Sequence, residues 1–217
     1  MSSVAIDLAF PFEGRWLVQN SPANRVPGHG TRRFATAHAI DFVPVVGARR
    51  TAPFTIASLL HPEPPDSFPG FGRTILAPLD GTVVSAFDDQ PDHAARRGVP
   101  SIAYALTQAR RAAAGWLALA GNHVLIESGG IVVALCHLQQ GSVRALPGQR
   151  VSLGDVLARC GNSGNSTEPH VHVQAMAGPD AEVAEAVPIT FRGSLPRNGE
   201  TVQGEDVQGE DGDESPR

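Results

Sequence analysis

The sequence predicts an all-β domain, an antiparallel β-sandwich or barrel-like arrangement with one inserted α-helix at about 101–120. Three observations carry this. Short runs of β-branched and apolar residues recur from residue 8 to residue 173, each closed by Gly, Pro, Asn or Asp. Aromatic residues make up only 6% of the chain while Val, Ala and Gly abound, which suits many short strands. Only the segment 101–120 combines Ala, Leu and Arg with a start signal, Ser101 after Pro100.

In chain order, residues 8–18 read as a first strand, and 20–37 as a loop rich in Asn, Pro, Gly and Arg. Residues 39–43 form a short strand, and 61–72 a long Pro- and Gly-rich irregular loop. Between Ile75 and Phe87, a turn at Pro78-Leu79-Asp80-Gly81 leads into the β-branched run Thr82-Val83-Val84, a strand. In the helix, Ile102, Leu106, Ala109 and Ala113 make one apolar stripe. Residues 123–127 and 131–138 form a hairpin around Ser128-Gly129-Gly130. Residues 143–146, 149–153 and 156–159 are short strands parted by Pro147-Gly148 and Gly154-Asp155.

With 217 residues and 41% hydrophobic composition, the chain can bury one core. The expected organisation is an N-terminal segment 1–25, a domain over 26–196 with insertions at about 54–73 and 88–120, and a disordered acidic tail over 197–217. Residues 198–217 hold seven acids and one Arg, a net −6, so the formal charge of −5 leaves the remainder at +1. Basic and aromatic residues are not interleaved, so nucleic acid is not an expected partner. No apolar run reaches the roughly 18 residues of a membrane span. The N-terminus lacks a basic start followed by an apolar stretch, which reads as no secretory signal. The location on this reading is cytoplasmic, or the cell envelope if another export route exists, and the oligomeric state is open. The chain has no Lys, which excludes lipoyl, biotinyl or Schiff-base attachment. Cys136 and Cys160 lie in apolar segments with no C-x-x-C spacing and read as buried free thiols.

Chemistry is indicated most strongly by Pro169-His170-Val171-His172-Val173, which follows a Gly/Asn/Ser/Thr loop. In a strand, histidines at i and i+2 share one face and the valines take the other. One imidazole can then ligate a metal with the second beside it. The candidate polar residues are His29, His38, Asp41, His137, His170 and His172. A catalytic Zn²⁺ takes three ligands from His and carboxylate and keeps a position for water. Further histidines can orient that water and stabilise an oxyanion. His61, His93 and His123 read as structural or exposed, and Glu168, Ser163, Asn165, Ser166 and Thr167 as loop residues.

Several blocks occur in a telling order: Ala39-Ile40-Asp41-Phe42, Ala77-Pro78-Leu79-Asp80-Gly81-Thr82-Val83-Val84, Gly121-Asn122-His123-Val124, Cys136-His137-Leu138, the hairpin 147–157, and Gly161-Asn162-Ser163-Gly164-Asn165-Ser166-Thr167-Glu168-Pro169-His170-Val171-His172. Together they resemble the lysostaphin-type (LytM-like, Gly-Gly endopeptidase) zinc metallopeptidases, whose fold is an antiparallel duplicated hybrid motif. The resemblance covers roughly residues 26–175. It implies a zinc-dependent endopeptidase of peptidoglycan cross-bridge or stem peptides. It assigns Asp41 and His172 as zinc ligands, and His137 and His170 as catalytic histidines.

One position departs from the pattern. The family usually has a His four residues before the Asp, where this chain has Ala37. His29, in the turn Gly28-His29-Gly30-Thr31, is the preferred third ligand. His38 is the alternative, although its odd offset from Asp41 points it the other way in an extended strand. Two further readings stay open: a catalytically silent relative that binds peptide or glycan or regulates a hydrolase, and a phosphocarrier with paired histidines, which the ordered blocks fit poorly.

Overall fold

The computed structural model describes residues 5–46 and 56–204. The strands are β1 (Ile6–Leu8), β2 (Gly14–Gln19), β3 (Ile40–Pro44), β4 (Thr74–Leu76), β5 (Gly81–Phe87), β6 (Asn122–Ser128), β7 (Ile131–Leu138), β8 (Arg150–Val151), β9 (Val156–Arg159), β10 (Val171–Met176), β11 (Ala186–Val187), β12 (Ile189–Phe191) and β13 (Thr201–Gly204). The helices are short: α1 (Ile56–Leu60), α2 (Val99–Leu106), α3 (Gln108–Ala113) and α4 (Trp116–Ala120), with 3-10 turns at Arg33–His38 and Pro65–Ser67. The fold is therefore mostly β, as the sequence predicts.

One antiparallel sheet organises the molecule, in the order β13-β2-β3-β10-β7-β6-β5-β8, with β11 paired to the end of β10. Among the described residues its path ends at β13 and β8 and does not close. Two small sheets flank it: β4 with β9, antiparallel, and β1 with β12, parallel.

The main core lies under one face of the large sheet. Ile40, Phe42, Val124, Ile126, Val133, Leu135, Val171 and Val173 point into it, together with Phe12, Trp16 and Phe191. Phe12 stacks on Trp16 with ring centroids 4.2 Å apart, and the edge of Phe42 meets both Phe12 and Phe191 at 5.1 Å. The opposite face carries a second apolar cluster: Leu125, Val132, Ala134, Cys136 and Met176 from the strands, covered by Phe34, Trp116 and Ala120. This second face bears the candidate site.

Two expectations change. The single helix at 101–120 is three short helices. The chain breaks at Thr107 (φ −95°, ψ 3°) and again at Gly115 (φ 91°, ψ 174°), a conformation that suits glycine and cannot continue a helix. The tail is ordered further than composition suggests, because Thr201–Gly204 adds an edge strand to β2 by backbone hydrogen bonding, which polar residues can supply without burying side chains. Residues 205–217 of that tail, and 54–55 of the first insertion, lie outside the described residues. Residues 143–146 are not a strand, although Val143 packs against the main core.

Candidate metal centre

Strand register builds the floor of the site. Asp41 on β3 pairs directly with His172 on β10, which pairs with Cys136 on β7. Directly opposed residues share a face, so two groups 131 positions apart meet over the second apolar cluster. His172 Nδ1 lies 2.9 Å from Asp41 Oδ1. On the same strands, Ile40, Phe42, Val171 and Val173 face the main core and lock the register.

The loop before β3 brings in His29. Gly28 N–H donates to Ala37 O at 3.2 Å, and Gly30 N–H to Pro27 O at 3.2 Å. A Cβ on Gly28 would lie 2.3 Å from Asn20 O, so only glycine allows this approach. His29 Nε2 then sits 3.0 Å from Asp41 Oδ2, and Asn20 Nδ2 donates to the same oxygen at 2.6 Å. One donor atom each from His29, Asp41 and His172 falls within 4.8 Å of the others. His38 is not part of this cluster and does not line the cleft above it. It ends a 3-10 turn rather than lying in an extended strand, so strand parity does not govern its direction. Ala37, at the position of the family's usual His, is buried.

His137 reaches the site by a bulge. Alternation along β7 would place it with Leu135 in the main core. Instead, the β6–β7 register shifts between Asn122 and His123, and His137 adopts φ 63°. An extra residue of this kind re-aims a side chain. The His137 ring lies 4.7 Å from that of His170 and 5.8 Å from that of His172, centroid to centroid. His170 Nε2 is 3.8 Å from Asp41 Oδ1.

Both of these histidines are held through Nδ1. His137 Nδ1 donates to Ser163 O at 3.0 Å, and His170 Nδ1 to Glu168 O at 2.8 Å with Ser166 Oγ at 3.0 Å. A carbonyl oxygen only accepts, so Nδ1 carries a proton in both, and Nε2 is the ring nitrogen left to act in the site. The loop that does this is pinned in turn. Gly164 and Gly121 are packed so closely that a Cβ on either would meet backbone of the other segment at 2.5 to 2.7 Å. His93, in the second insertion, lies with Nε2 3.0 Å from Gly164 O.

The electrostatics suit a buried charge cluster. Burial alone would raise the Asp41 carboxyl, but His29 and His170 beside it, with hydrogen bonds from His172 and His29, hold it well below the usual carboxylate range. Burial works to lower His29, and Asp41 outweighs this, leaving the imidazole raised. Burial, followed by His170 and His172, keeps His137 well below the ordinary histidine range. Burial, with Asp41 nearby, pushes up the Cys136 thiol.

Two imidazoles and one carboxylate at the floor of a cleft of about 440 Å³ are the donor set of an open zinc site, and these residues fit such an ion. Sequence reasoning missed Asn20, which holds Asp41, and Gln174, which holds His172. Asn20 carries no local signal. Gln174 shares the face of His172 by its i+2 spacing, which was legible.

Residues 91–183 match the family model described as peptidase family M23. The matched segment holds His137, His170 and His172, while His29 and Asp41 lie outside it. The match supports a hydrolase of the metallopeptidase class. Among solved structures, the chain is similar to the M23 metalloprotease pseudoalterin from the deep sea (14% identity, 93% of this chain and 96% of that one, TM-score 0.46). It is also similar to the catalytic domain of lysostaphin from Staphylococcus simulans (15%, 72% and 80%, 0.39) and to a putative glycyl-glycine endopeptidase LytM from Ruminococcus gnavus (15%, 86% and 57%, 0.42). Among the described residues, no helix is long and apolar enough to cross a membrane.

Proposed function

We propose that this protein is a zinc-dependent endopeptidase that hydrolyses short peptides of the peptidoglycan cross-bridge or stem type. The observation that supports this best is the grouping of His29, Asp41 and His172 within 4.8 Å in a cleft, with His137 and His170 beside them. The peptidoglycan part rests on the M23 resemblance.

His29, Asp41 and His172 would hold a zinc ion, which would supply a Lewis acid and lower the pKa of a bound water. The chain's own residues do the rest. Asn20 and His172 fix the Asp41 carboxylate from two sides. His137, kept neutral by burial, offers Nε2 as a proton acceptor towards the cleft. His170 Nε2 faces Asp41 and can hold a proton against charge that develops on the scissile carbonyl oxygen. The apolar floor excludes water and strengthens each of these contacts.

The test uses the full chain stripped with a chelator and titrated with zinc, with peptidoglycan-derived peptides as substrate. Hydrolysis should return with one equivalent of zinc, and His172→Ala should bind none. A folded, zinc-loaded chain that binds these peptides and cuts none of them would instead be a silent relative.

A further inference from the structure

The cleft has an apolar wall whose side chains take no part in proton transfer. Phe34, Trp116 and Leu119 line it together with Ala112 and Ala120, in the same cleft as the metal cluster. These side chains belong to the second apolar cluster, so the wall continues the packed floor. It is also fixed in place. Trp116 N–H donates to Glu182 Oε1 at 2.7 Å at the start of α4, and Asn165 N–H donates to Leu119 O at 2.8 Å near its end. Asn165 belongs to the loop that carries His170, so the wall is tied to the catalytic loop. On the other side, the Phe34 carbonyl accepts from Gln174, which also holds His172. The apolar wall therefore stands at a set distance from the candidate metal ligands.

A concave apolar surface next to a reacting centre binds best what can fill it. A glycine-only bridge has no side chain to do so. We propose that this side of the cleft is a side-chain pocket, and that the substrate is a peptide carrying a bulky apolar residue, of leucine or phenylalanine size, next to the scissile bond. The word scissile rests on the hydrolytic reading above and not on its peptidoglycan part, since bridge and stem peptides carry no side chain of that size; the pocket rests on neither. Filling the pocket with one such side chain corresponds to about tenfold or more in affinity.

The experiment compares blocked Gly-Gly-Phe-Gly-Gly with blocked pentaglycine. Binding is read by calorimetry on the metal-free full chain, and cleavage on the zinc-loaded chain. The Phe peptide should bind at least tenfold tighter. That preference should vanish in Leu119→Asp, or in Ala112→Phe, which fills the pocket without removing packing. Equal binding, no binding of either peptide, or a preference that survives both substitutions overturns the pocket, even if both peptides are cut. A preference without cleavage keeps the pocket and counts against the hydrolytic reading.

Discussion

Gln174 fixes the tautomer of His172. Its side-chain nitrogen donates to the carbonyl of Phe34 at 2.9 Å, so its oxygen must face the imidazole, where it accepts from His172 Nε2 at 2.9 Å. Nδ1, 2.9 Å from Asp41 Oδ1, is then the ring nitrogen that a metal would take in place of its proton.

Replacing Gln174 with Met should therefore weaken zinc binding by about 10- to 100-fold, the usual cost of losing a partner behind a metal ligand. The check is a competition titration with a zinc chelator dye. Unchanged zinc affinity would remove Gln174 from this role. The same variant leaves a buried Phe34 carbonyl without a donor and should lose about 1–3 kcal/mol of stability in urea.

His29 makes stability and metal binding depend on pH. Its folded pKa is raised, so the His29–Asp41 pair contributes fully below the unfolded histidine value of about 6.5 and loses this as pH rises through the folded value. Asp41 stays ionised throughout, because its carboxyl is held low. In metal-free protein, the stability gap between wild type and His29→Gln should be larger at pH 5.5 than at pH 8.5. Zinc affinity should move the opposite way and fall as pH drops, since the proton competes for Nε2. Urea titrations and zinc titrations at both pH values test the two trends.

His137 sits at φ 63°, a conformation that Asn tolerates better than most residues. His137→Asn should fold and bind zinc but lose about 10²- to 10⁴-fold in kcat, the scale of general acid–base catalysis. Retained kcat with intact zinc would place the proton transfer elsewhere.

Gly164→Ala should destabilise the domain by about 1–3 kcal/mol. The residue has φ 70°, and the added methyl would lie 2.5 Å from both Gly121 N and Leu119 O. A thermal melt within one degree of wild type would show that the two loops part without cost.

Cys136 and Cys160 are both buried, and burial raises both thiols. Neither should react with an aromatic disulfide reagent in the native protein, and both should react after unfolding. Fast native labelling of Cys136 would mean that the cleft opens down to its floor.

The mostly β character, the hairpin at β6–β7, and the grouping of His170 and His172 on one strand face were legible because strand alternation and turn residues act over a few positions. Asp41 and His137 were singled out by their place in an ordered set of blocks, not by local physics. Tertiary structure decided what proximity along the chain cannot. Register across β3, β10 and β7 sets Asp41 against His172, and the main core fixes that register through Ile40, Phe42, Val171 and Val173. A bulge reverses the parity of His137, and the close approach of Gly28 to Asn20 folds His29 rather than His38 over the carboxylate. Sequence carries the preferences of single residues and their near neighbours. The choice of third neighbour to Asp41 and the apolar wall of Phe34, Trp116 and Leu119 arise only when distant segments pack on one sheet face.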